Sequence, residues 1–220
     1  MEKFREKIIK KDSNNIAKIK NVLSEYKAMP LDTKFKAAVI ILLIDIDGEE
    51  SIIFEKRSKY ISQPGEISLP GGKVESGESF YEAALREAYE EINVESRDVE
   101  YLGETDYLVN GNGLIIKPFV GRVKNYSLDD FKENREIENI FTVPLKYFIE
   151  NPPKIYKNIT RIDFNKDFPF ELVPNGRDYN FSKVENKVYF YENLNPVIWG
   201  YTARIINRFI EIITKREEVW

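Results

Sequence analysis

The sequence predicts an α+β fold, because strand-length apolar runs and amphipathic helices occur together in one chain. The clearest strand is Ala37 to Ile46, which contains the longest apolar run, AAVIILLI. The clearest helices cover Ser79 to Ile92 and the residues that follow Asn195. The longest apolar run is far too short to span a bilayer.

Before the first strand, residues 1–27 predict a helix in two pieces. Ser13 is a suitable cap for the second piece, and the MPLD stretch interrupts the helical pattern after it. Apolar side chains recur in that piece at helical spacing, at Ile16, Ile19, Leu23 and Tyr26. We therefore expect an N-terminal helical extension over residues 1–30 and one larger domain over residues 31–220.

The first strand is expected to pair with Ser51 to Lys56, because DIDGEE between them is typical of a hairpin turn. Residues 57–78 are rich in Gly and Pro and predict mostly loop. The helix after them begins at about Ser79, which forms a candidate capping box with Glu82. Asn93 follows the last turn, where a left-handed cap is expected.

The second half of the chain predicts further strands and two helices. Strands are expected at Val99 to Val109, Leu114 to Val123, Glu136 to Val143 and Lys187 to Tyr191, with a short helix at Pro144 to Glu150. Residues at about 151–185 are rich in Pro, Asn, Asp and aromatic side chains, and we interpret them as an insertion or flap. The last helix is expected to begin with Asn195 as cap and Pro196 in its first position. Trp199 and Tyr201 fall at helical spacing, which favours a place in the core over base stacking.

Composition limits the chemistry that this chain can perform. Its 220 residues include no cysteine and no histidine. Disulfides, thiolate metal sites and histidine-dependent triads are therefore excluded, and acid–base or metal chemistry must depend mainly on carboxylates, Lys or Tyr. Sites made only of oxygen ligands favour hard cations such as Mg²⁺ or Mn²⁺.

Charge and the N-terminus give expectations about partners and location. The net charge of −4 provides no broad basic field for nucleic acid or for an anionic membrane. The N-terminus has no apolar signal core, so we expect a cytoplasmic protein without a membrane partner. The sequence is compatible with a homodimer but does not decide the oligomeric state.

A cluster of carboxylates lies near the end of the helix that follows the Gly-rich loop. Glu90 and Glu91 lie three and four residues after Glu87, so the three side chains share one side of the helix and repel each other. They also lie in the last turns, where the helix dipole disfavours anions. A solvated face, with Arg86 paired to Glu82 and Glu90, is the ordinary explanation. A bound divalent cation would instead reverse the sign of each repulsion, and the Gly-rich loop leaves room for it.

The stretch LPGGKVESGESFYEAALREAYEEINV resembles the Nudix box, a long motif of fixed spacing. The matching positions are Gly72, Glu78, Arg86, Glu87, Ala88, Glu90, Glu91, Asn93 and Val94. Asn93 stands where the pattern has Gly, and Asn also adopts the left-handed conformation. The resemblance implies the Nudix fold, a mixed β-sheet sandwiched between helices (α/β/α).

The resemblance also implies hydrolysis of a nucleoside diphosphate linked to a second group, with Mg²⁺ or Mn²⁺ as cofactor. The substrate would be a small-molecule nucleotide. By resemblance, Glu87, Glu90 and Glu91 are metal ligands, and one of them is a candidate base. The backbone carbonyl of Gly71 or Gly72 would join them.

Three further acidic or basic positions follow from the same resemblance. Glu78 and Arg86 would form a salt bridge that holds the loop against the helix, a structural role. Glu136 matches a family acid that comes after the catalytic helix, so it is a candidate base or additional ligand. The alternative for Glu136 is a solvated residue at the start of a strand.

The upstream stretch IIFEKRSKYISQPGEISLPGG resembles the signature of the coenzyme A pyrophosphatase branch of the family. It supplies the candidate substrate-binding residues Arg57, Ser58, Gly65, Glu66, Gly71 and Gly72. Leu69 stands where Phe is more usual, and Gln63 where His is frequent. A guanidinium at position 57 suits the geometry of a phosphate, with a surface ion pair as its alternative.

The sequence therefore predicts a metal-dependent hydrolase of coenzyme A or its thioesters. The expected products are adenosine 3′,5′-bisphosphate and phosphopantetheine or acyl-phosphopantetheine. One alternative keeps the fold and changes the substrate to ADP-ribose, NADH or a damaged nucleotide. Another is a Nudix domain that senses a nucleotide without turnover, which the full set of carboxylates argues against.

Overall fold

The structure is a computed structural model that describes residues 15–160 and 162–215, with backbone alone at Val184. The chain divides into one unit of Met1–Thr33 and another of Lys34–Trp220. In the first unit, helix α1 (Asn15–Glu25) has all its side chains exposed. The predicted first helical piece and its neighbour Ser13 lie outside the described residues.

The second unit is built on a mixed β-sheet. Its strands are β1 (Phe35–Ile46), β2 (Glu49–Arg57), β3 (Ile67–Ser68), β4 (Gly71–Lys73), β5 (Val99–Glu104), β6 (Leu108–Val109), β7 (Leu114–Val123) and β8 (Ile137–Pro144). The sheet runs in the order β3-β2-β1-β7-β5, with β4 on β1, β6 on β7 and β8 on β2. Strands β1 and β7 are parallel, whereas β2 and β4 pair with β1 in the antiparallel direction.

Helices cover both faces of this sheet. The side chains of β1 point alternately to the two faces, and each face packs in its own apolar cluster. Ala38, Ile40, Leu42 and Ile44 face α2 (Phe80–Ile92). Ile41 and Leu43 face the opposite cluster, which includes α3 (Leu145–Glu150) and α4 (Gly200–Ile213). The predicted α+β class and the arrangement of a mixed sheet between helices are confirmed.

The predicted hairpin between β1 and β2 is also confirmed. Asp47 and Gly48 have φ angles of 53° and 86°, which is the two-residue turn that matches the twist of paired strands. Residues 57–78 are mostly loop, as predicted, and they also contain two short strands that were not predicted, β3 and β4. These strands have two and three residues, which is too short to produce a periodic apolar pattern.

The start of the last helix was predicted wrongly. Asn195 and Pro196 precede a short strand at Ile198–Trp199, and α4 begins only at Gly200. Gly200 has a φ of +68°, a left-handed conformation that interrupts any helix from Pro196.

Trp199 and Tyr201 are not core residues, because their exposed fractions are 42% and 46%. Trp199 stacks on Phe190 with ring centroids 5.6 Å apart, and the Tyr201 hydroxyl accepts a hydrogen bond from Asn110 at 3.0 Å. Since the helix starts later than predicted, the helical spacing that placed these two residues in the core does not apply.

The predicted insertion at about 151–185 contains most of a long hairpin. Strands β9 (Lys154–Thr160) and β10 (Val184–Tyr191) pair in the antiparallel direction, and β11 (Ile198–Trp199) adds to β10. The loop between β9 and β10 contains a cluster of aromatic rings, formed by Phe164, Phe168, Phe170 and Phe181. No helix within residues 15–160 and 162–215 is both long and apolar enough to cross a membrane.

The ends of α2 form as the sequence predicts. The Ser79 side chain accepts a hydrogen bond from the amide of Glu82, and the Glu82 carboxylate accepts one from the amide of Ser79. At the other end, Asn93 has a φ of 61°, and its amide donates to the carbonyl of Tyr89 at 3.0 Å. Both ends of the helix that carries the carboxylates are therefore fixed by local contacts.

The left-handed cap gives a test of stability. Replacing Asn93 with Ala should lower the free energy of unfolding by about 1 kcal/mol, because a Cβ without a polar side chain disfavours this conformation. Replacing Asn93 with Gly should leave it unchanged or raise it. Urea unfolding of both variants measures the difference, and equal stability for Ala and Gly would contradict a left-handed cap.

Candidate active site

The guanidinium of Arg86 joins the Gly-rich loop to the carboxylates of α2. Its Nε and Nη2 donate to the two carboxylate oxygens of Glu78 at 3.2 and 3.0 Å, and Nη2 also donates to the carbonyl of Lys73 at 3.1 Å. Its Nη1 donates to Glu87 at 2.9 Å and to Glu90 at 3.1 Å. These hydrogen bonds lower the pKa of Glu78 and raise that of Arg86. One side chain therefore fixes the loop and offsets the charge of two carboxylates.

The solvated-face explanation of the cluster fits only in part. Arg86 does pair with Glu90, but the Glu82 carboxylate accepts a hydrogen bond from the amide of Ser79 in the capping box. Glu87 is largely buried, with 17% of its side chain exposed, whereas Glu90 has 55% exposed. Burial raises the pKa of Glu87 despite its bond to Arg86, and the charges of Glu90 and Glu136 raise it further.

Glu91 is the most buried carboxylate of α2, with an exposed fraction of 6%. One of its oxygens accepts a hydrogen bond from the amide of Gly71 at 2.8 Å. Burial raises its pKa to about 9, helped by the neighbouring charge of Glu55. In the absence of a cation, this site therefore favours a protonated Glu91 at neutral pH.

The two glycines before α2 allow the backbone to approach these carboxylates. Gly71 has a φ of +152°, and a Cβ there would collide with the backbone of Ala38 and Val39. A Cβ on Gly72 would collide with the carboxylate of Glu87. Gly72 therefore lets β4 lie directly against the acidic side of α2, whereas Gly71 lets β4 lie against β1.

Glu55 on β2 was not predicted, although it belongs to the same cluster of charges. It is fully buried, and the hydroxyl of Ser68 donates to one of its oxygens at 2.9 Å. Burial raises its pKa to about 7, and Glu87 contributes to the shift. A signal for it exists in the sequence, because strand alternation places Glu55 on the same face as Ile53, which packs in the cluster against α2.

Asn134 was also not predicted, and it ties the loop before β8 to the end of α2. Its Nδ2 donates to the carbonyls of Glu90 at 2.7 Å and Glu91 at 3.1 Å. Its Oδ1 accepts from the amides of Glu136 at 2.7 Å and Ile137 at 3.0 Å. The side chain of Glu136 is exposed, and its charge acts on Glu87, so this loop brings Glu136 to the cluster.

Arg57 lies at the end of β2, where its charge lowers the pKa of Glu55 and Glu91. Its Nε donates to the carbonyl of Ser62 at 3.0 Å. The hydroxyl of Ser58 donates to the carbonyl of Arg135 at 2.6 Å. These bonds hold the Arg57 side chain against its own loop and join Ser58 to the loop before β8.

Gly65 and Glu66 are joined to the backbone of Arg57. The amide of Gly65 donates to the carbonyl of Arg57 at 2.9 Å, and the amide of Arg57 donates to the carbonyl of Glu66 at 2.9 Å. These bonds close the 58–64 loop at its base. The structure therefore brings the carboxylates, the two later glycines and Arg57 together, with Gly65 and Glu66 at the edge.

The oxygen-only donor set of this cluster fits a hard divalent cation in chemistry. One buried oxygen of Glu55 has no hydrogen-bond partner among the described residues, and a cation would provide one. A finished cage is not formed, because in the part of the chain that the structure describes no three acidic side chains converge as a metal site. Arg86 accounts for this at Glu87 and Glu90, whose oxygens it holds.

The raised pKa of Glu91 gives a test by pH. The unfolded carboxyl releases its proton near its ordinary value of 4.5, whereas the folded one keeps it up to about 9. The metal-free protein should therefore lose stability as the pH rises through this range. Replacing Glu91 with Gln should reduce the slope of melting temperature against pH in EDTA. The control is Glu49→Gln, an exposed site on β2, and a Glu91→Gln variant with the parent's slope would contradict the assignment.

The bonds of Asn134 give a test by hydrogen exchange. Replacing Asn134 with Ala should increase exchange at the amides of Glu136 and Ile137, and should lower stability by about 1 kcal/mol because several exposed hydrogen bonds are lost. Asn139→Ala on β8 is the control, since Asn139 is also exposed. Unchanged exchange at both amides would show that the backbone alone holds this loop.

Comparison with known proteins supports the family resemblance. The family described as NUDIX domain matches residues 34–148, which is more than half of the chain.

Nudix hydrolase 3 of Caenorhabditis elegans is 26% identical over 186 residues, 83% of this chain and 75% of that protein. The peroxisomal coenzyme A diphosphatase ndx-8 of the same organism is 36% identical, over 52% of this chain and 51% of that protein. The peroxisomal coenzyme A diphosphatase NUDT7 of Mus musculus is 32% identical, over 77% of this chain and 66% of that protein. With the sheet, the helix and the carboxylates described above, these matches show that the chain belongs to the Nudix family of hydrolases.

Proposed function

We propose that this protein hydrolyses the pyrophosphate bond of coenzyme A or of its thioesters. The products would be adenosine 3′,5′-bisphosphate and phosphopantetheine or its acylated form. The observation that carries the proposal is the location of Arg57 at the end of β2, two residues after the buried Glu55, where its charge acts on Glu55 and Glu91 and so links the upstream motif to the carboxylates of α2. Two relatives that are named coenzyme A diphosphatases support the same substrate.

Nudix hydrolases generally use divalent metals, and we propose Mg²⁺ or Mn²⁺ here. The residues that would hold the ion are Glu87, Glu90 and Glu91, with the backbone carbonyl of Gly71 or Gly72. When bound, the ion supplies neutralisation of the pyrophosphate charge and a lower pKa for a coordinated water. This metal-dependent hydrolysis requires neither histidine nor cysteine, and the chain contains neither.

Three side chains other than the proposed metal ligands have separate roles in this reaction. Glu136 is exposed and close enough to act on the charge of Glu87, so it is a suitable acceptor for the proton of an attacking water. Arg86 keeps Glu87 and Glu90 at one place through its two short bonds. Arg57 offers a cation to an anionic group of the substrate, and a phosphate accepts a guanidinium in a two-point contact.

The exposure of the site is consistent with a large, charged substrate. Glu90 and Glu136 are exposed, whereas Glu91 and Glu55 are buried. The carboxylates therefore become less exposed from the solvent side of the site to its base. A substrate diphosphate would approach from the side of Glu90. Another nucleoside diphosphate derivative would meet the same carboxylates, which is why the substrate must be determined by experiment.

The decisive experiment is a substrate panel. The purified protein with Mg²⁺ or Mn²⁺ should cleave coenzyme A or acyl-coenzyme A with a higher kcat/KM than dephospho-coenzyme A, ADP-ribose, NADH or nucleoside triphosphates, with products identified by mass. Excess EDTA should abolish turnover. Replacing Glu90 with Gln should lower kcat/KM by about 100-fold or more, since a group in the reacting site is lost, and this variant controls for contaminating hydrolases.

Each other outcome has a definite meaning. Preference for ADP-ribose or NADH would keep the fold and replace the substrate. Tight binding of one nucleotide without turnover would favour a nucleotide sensor. Substantial hydrolysis in EDTA would exclude the metal-dependent chemistry.

A further inference from the structure

Glu55 is a buried carboxylate that the proposed reaction leaves without a role. It lies on β2 with an exposed fraction of 0%. The hydroxyl of Ser68 donates to its Oε1 at 2.9 Å, whereas its Oε2 has no hydrogen-bond partner among residues 15–160 and 162–215. A buried carboxylate oxygen without a partner is strongly unfavourable, so we expect a proton or a cation at this oxygen.

The surroundings of Glu55 place that oxygen at the acidic cluster. The charge of Glu87 acts on Glu55, the Glu91 carboxyl lies close enough to Glu55 to share a proton with it, and Glu55 in turn is the largest charge that acts on Glu91. Glu91 uses one oxygen to accept from the amide of Gly71 at 2.8 Å. The two carboxylates therefore form a buried pair, and each has one oxygen fixed by a donor from β3 or β4.

Among the described residues, no basic side chain forms an ion pair with either member of this pair, Glu55 or Glu91. Arg57 is near enough to act on both charges, but its Nε bonds to the carbonyl of Ser62. Arg86 is occupied by Glu78, Glu87 and Glu90. Two adjacent buried carboxylates without a bound base need either a proton or a cation.

We propose that Glu55 supplies an additional carboxylate to the divalent-cation site, from β2 rather than from α2. The inference rests on the proposed function, because it concerns the same site. The ligand class is a hard divalent cation such as Mg²⁺ or Mn²⁺, since every available donor is an oxygen. The Ser68 hydroxyl fixes one oxygen of Glu55 and leaves the other without a hydrogen-bond partner among the described residues.

The pair is one part of a site and not a closed cage. This agrees with the finding that no three acidic side chains converge as a metal site in the described residues. Glu91 would bind the cation together with the other ligands of α2 and would also lie next to Glu55. The proposal therefore adds a ligand at the buried end of the site, opposite the exposed Glu90.

The test measures Mn²⁺ binding directly, without turnover. Electron paramagnetic resonance of free Mn²⁺ gives the dissociation constant for the full-length parent, for Glu55→Gln and for the control Glu49→Gln, an exposed carboxylate on the same strand. Glu55→Gln should weaken binding by about 10- to 100-fold, as for other residues that support a metal site. The control should bind as the parent does.

Thermal melts provide the second measurement. In EDTA, Glu55→Gln should melt at or above the temperature of the parent, because a buried charge without a partner is removed and the new amide can donate to Glu91. With millimolar Mn²⁺, the rise in melting temperature should be smaller for Glu55→Gln than for the parent. If Glu55→Gln does not fold, Glu55→Asp keeps the charge, withdraws the carboxylate and should also weaken Mn²⁺ binding.

The outcomes separate this inference from the proposed function. If Glu55→Gln, or Glu55→Asp in its place, binds Mn²⁺ as tightly as the parent, the inference is overturned and a shared proton explains the pair. If binding is weakened but the parent does not cleave coenzyme A, the inference stands and the proposed substrate fails. A parent that takes up no Mn²⁺ overturns both the inference and the metal-dependent part of the proposed function.

Discussion

The carboxylate site depends on one guanidinium. Arg86 contacts Glu78 on the loop, Glu87 and Glu90 on the helix, and the carbonyl of Lys73 on β4. Without it, the like charges at the end of α2 would repel each other, and the bond from the Gly71 amide to Glu91 would have to hold the loop to the helix without the contacts of Arg86. Because the side chain is only partly exposed, its interactions are less screened than those of an ordinary surface ion pair.

The rest of the fold supports this contact from both sides. Gly72 lets β4 lie against the helix, Gly71 lets it lie against β1, and the backbone of Asn93 ends that helix at a defined residue. Asn134 then brings the loop before β8 to the same end. The acidic residues therefore come from a strand, a helix and a loop, and each element has its own anchor.

Local contacts explain which elements could be predicted from the sequence. The capping box of Ser79 and Glu82 and the cap at Asn93 use residues within four positions of each other, so the sequence alone predicts α2 closely. The start of α4 could not be predicted in this way. Pro196 has the properties of a first helical residue, but pairing of β11 with β10 overrides that local preference.

The same distinction applies to the site. The spacing of Glu87, Glu90 and Glu91 on one helix is visible in the sequence, whereas the partners of Glu55 and Asn134 come from distant parts of the chain. Asn134 reaches a carbonyl 44 residues away, and no local pattern predicts such a bond. Burial of Glu55 depends on how the sheet and α2 pack, which strand alternation suggests but does not determine.

The long hairpin of β9 and β10 has a consequence for how this molecule could diversify. The aromatic rings of its loop, such as Phe164, Phe168 and Phe181, are only partly buried but contact each other, so the loop has packing contacts of its own. Changes in the length or composition of this loop would therefore disturb its own packing first, whereas β10 belongs to the main core through Tyr189 and Tyr191. Evolution could therefore replace the loop between β9 and β10 as a unit. The outer surface of the enzyme would change, while the carboxylates of the site would stay the same.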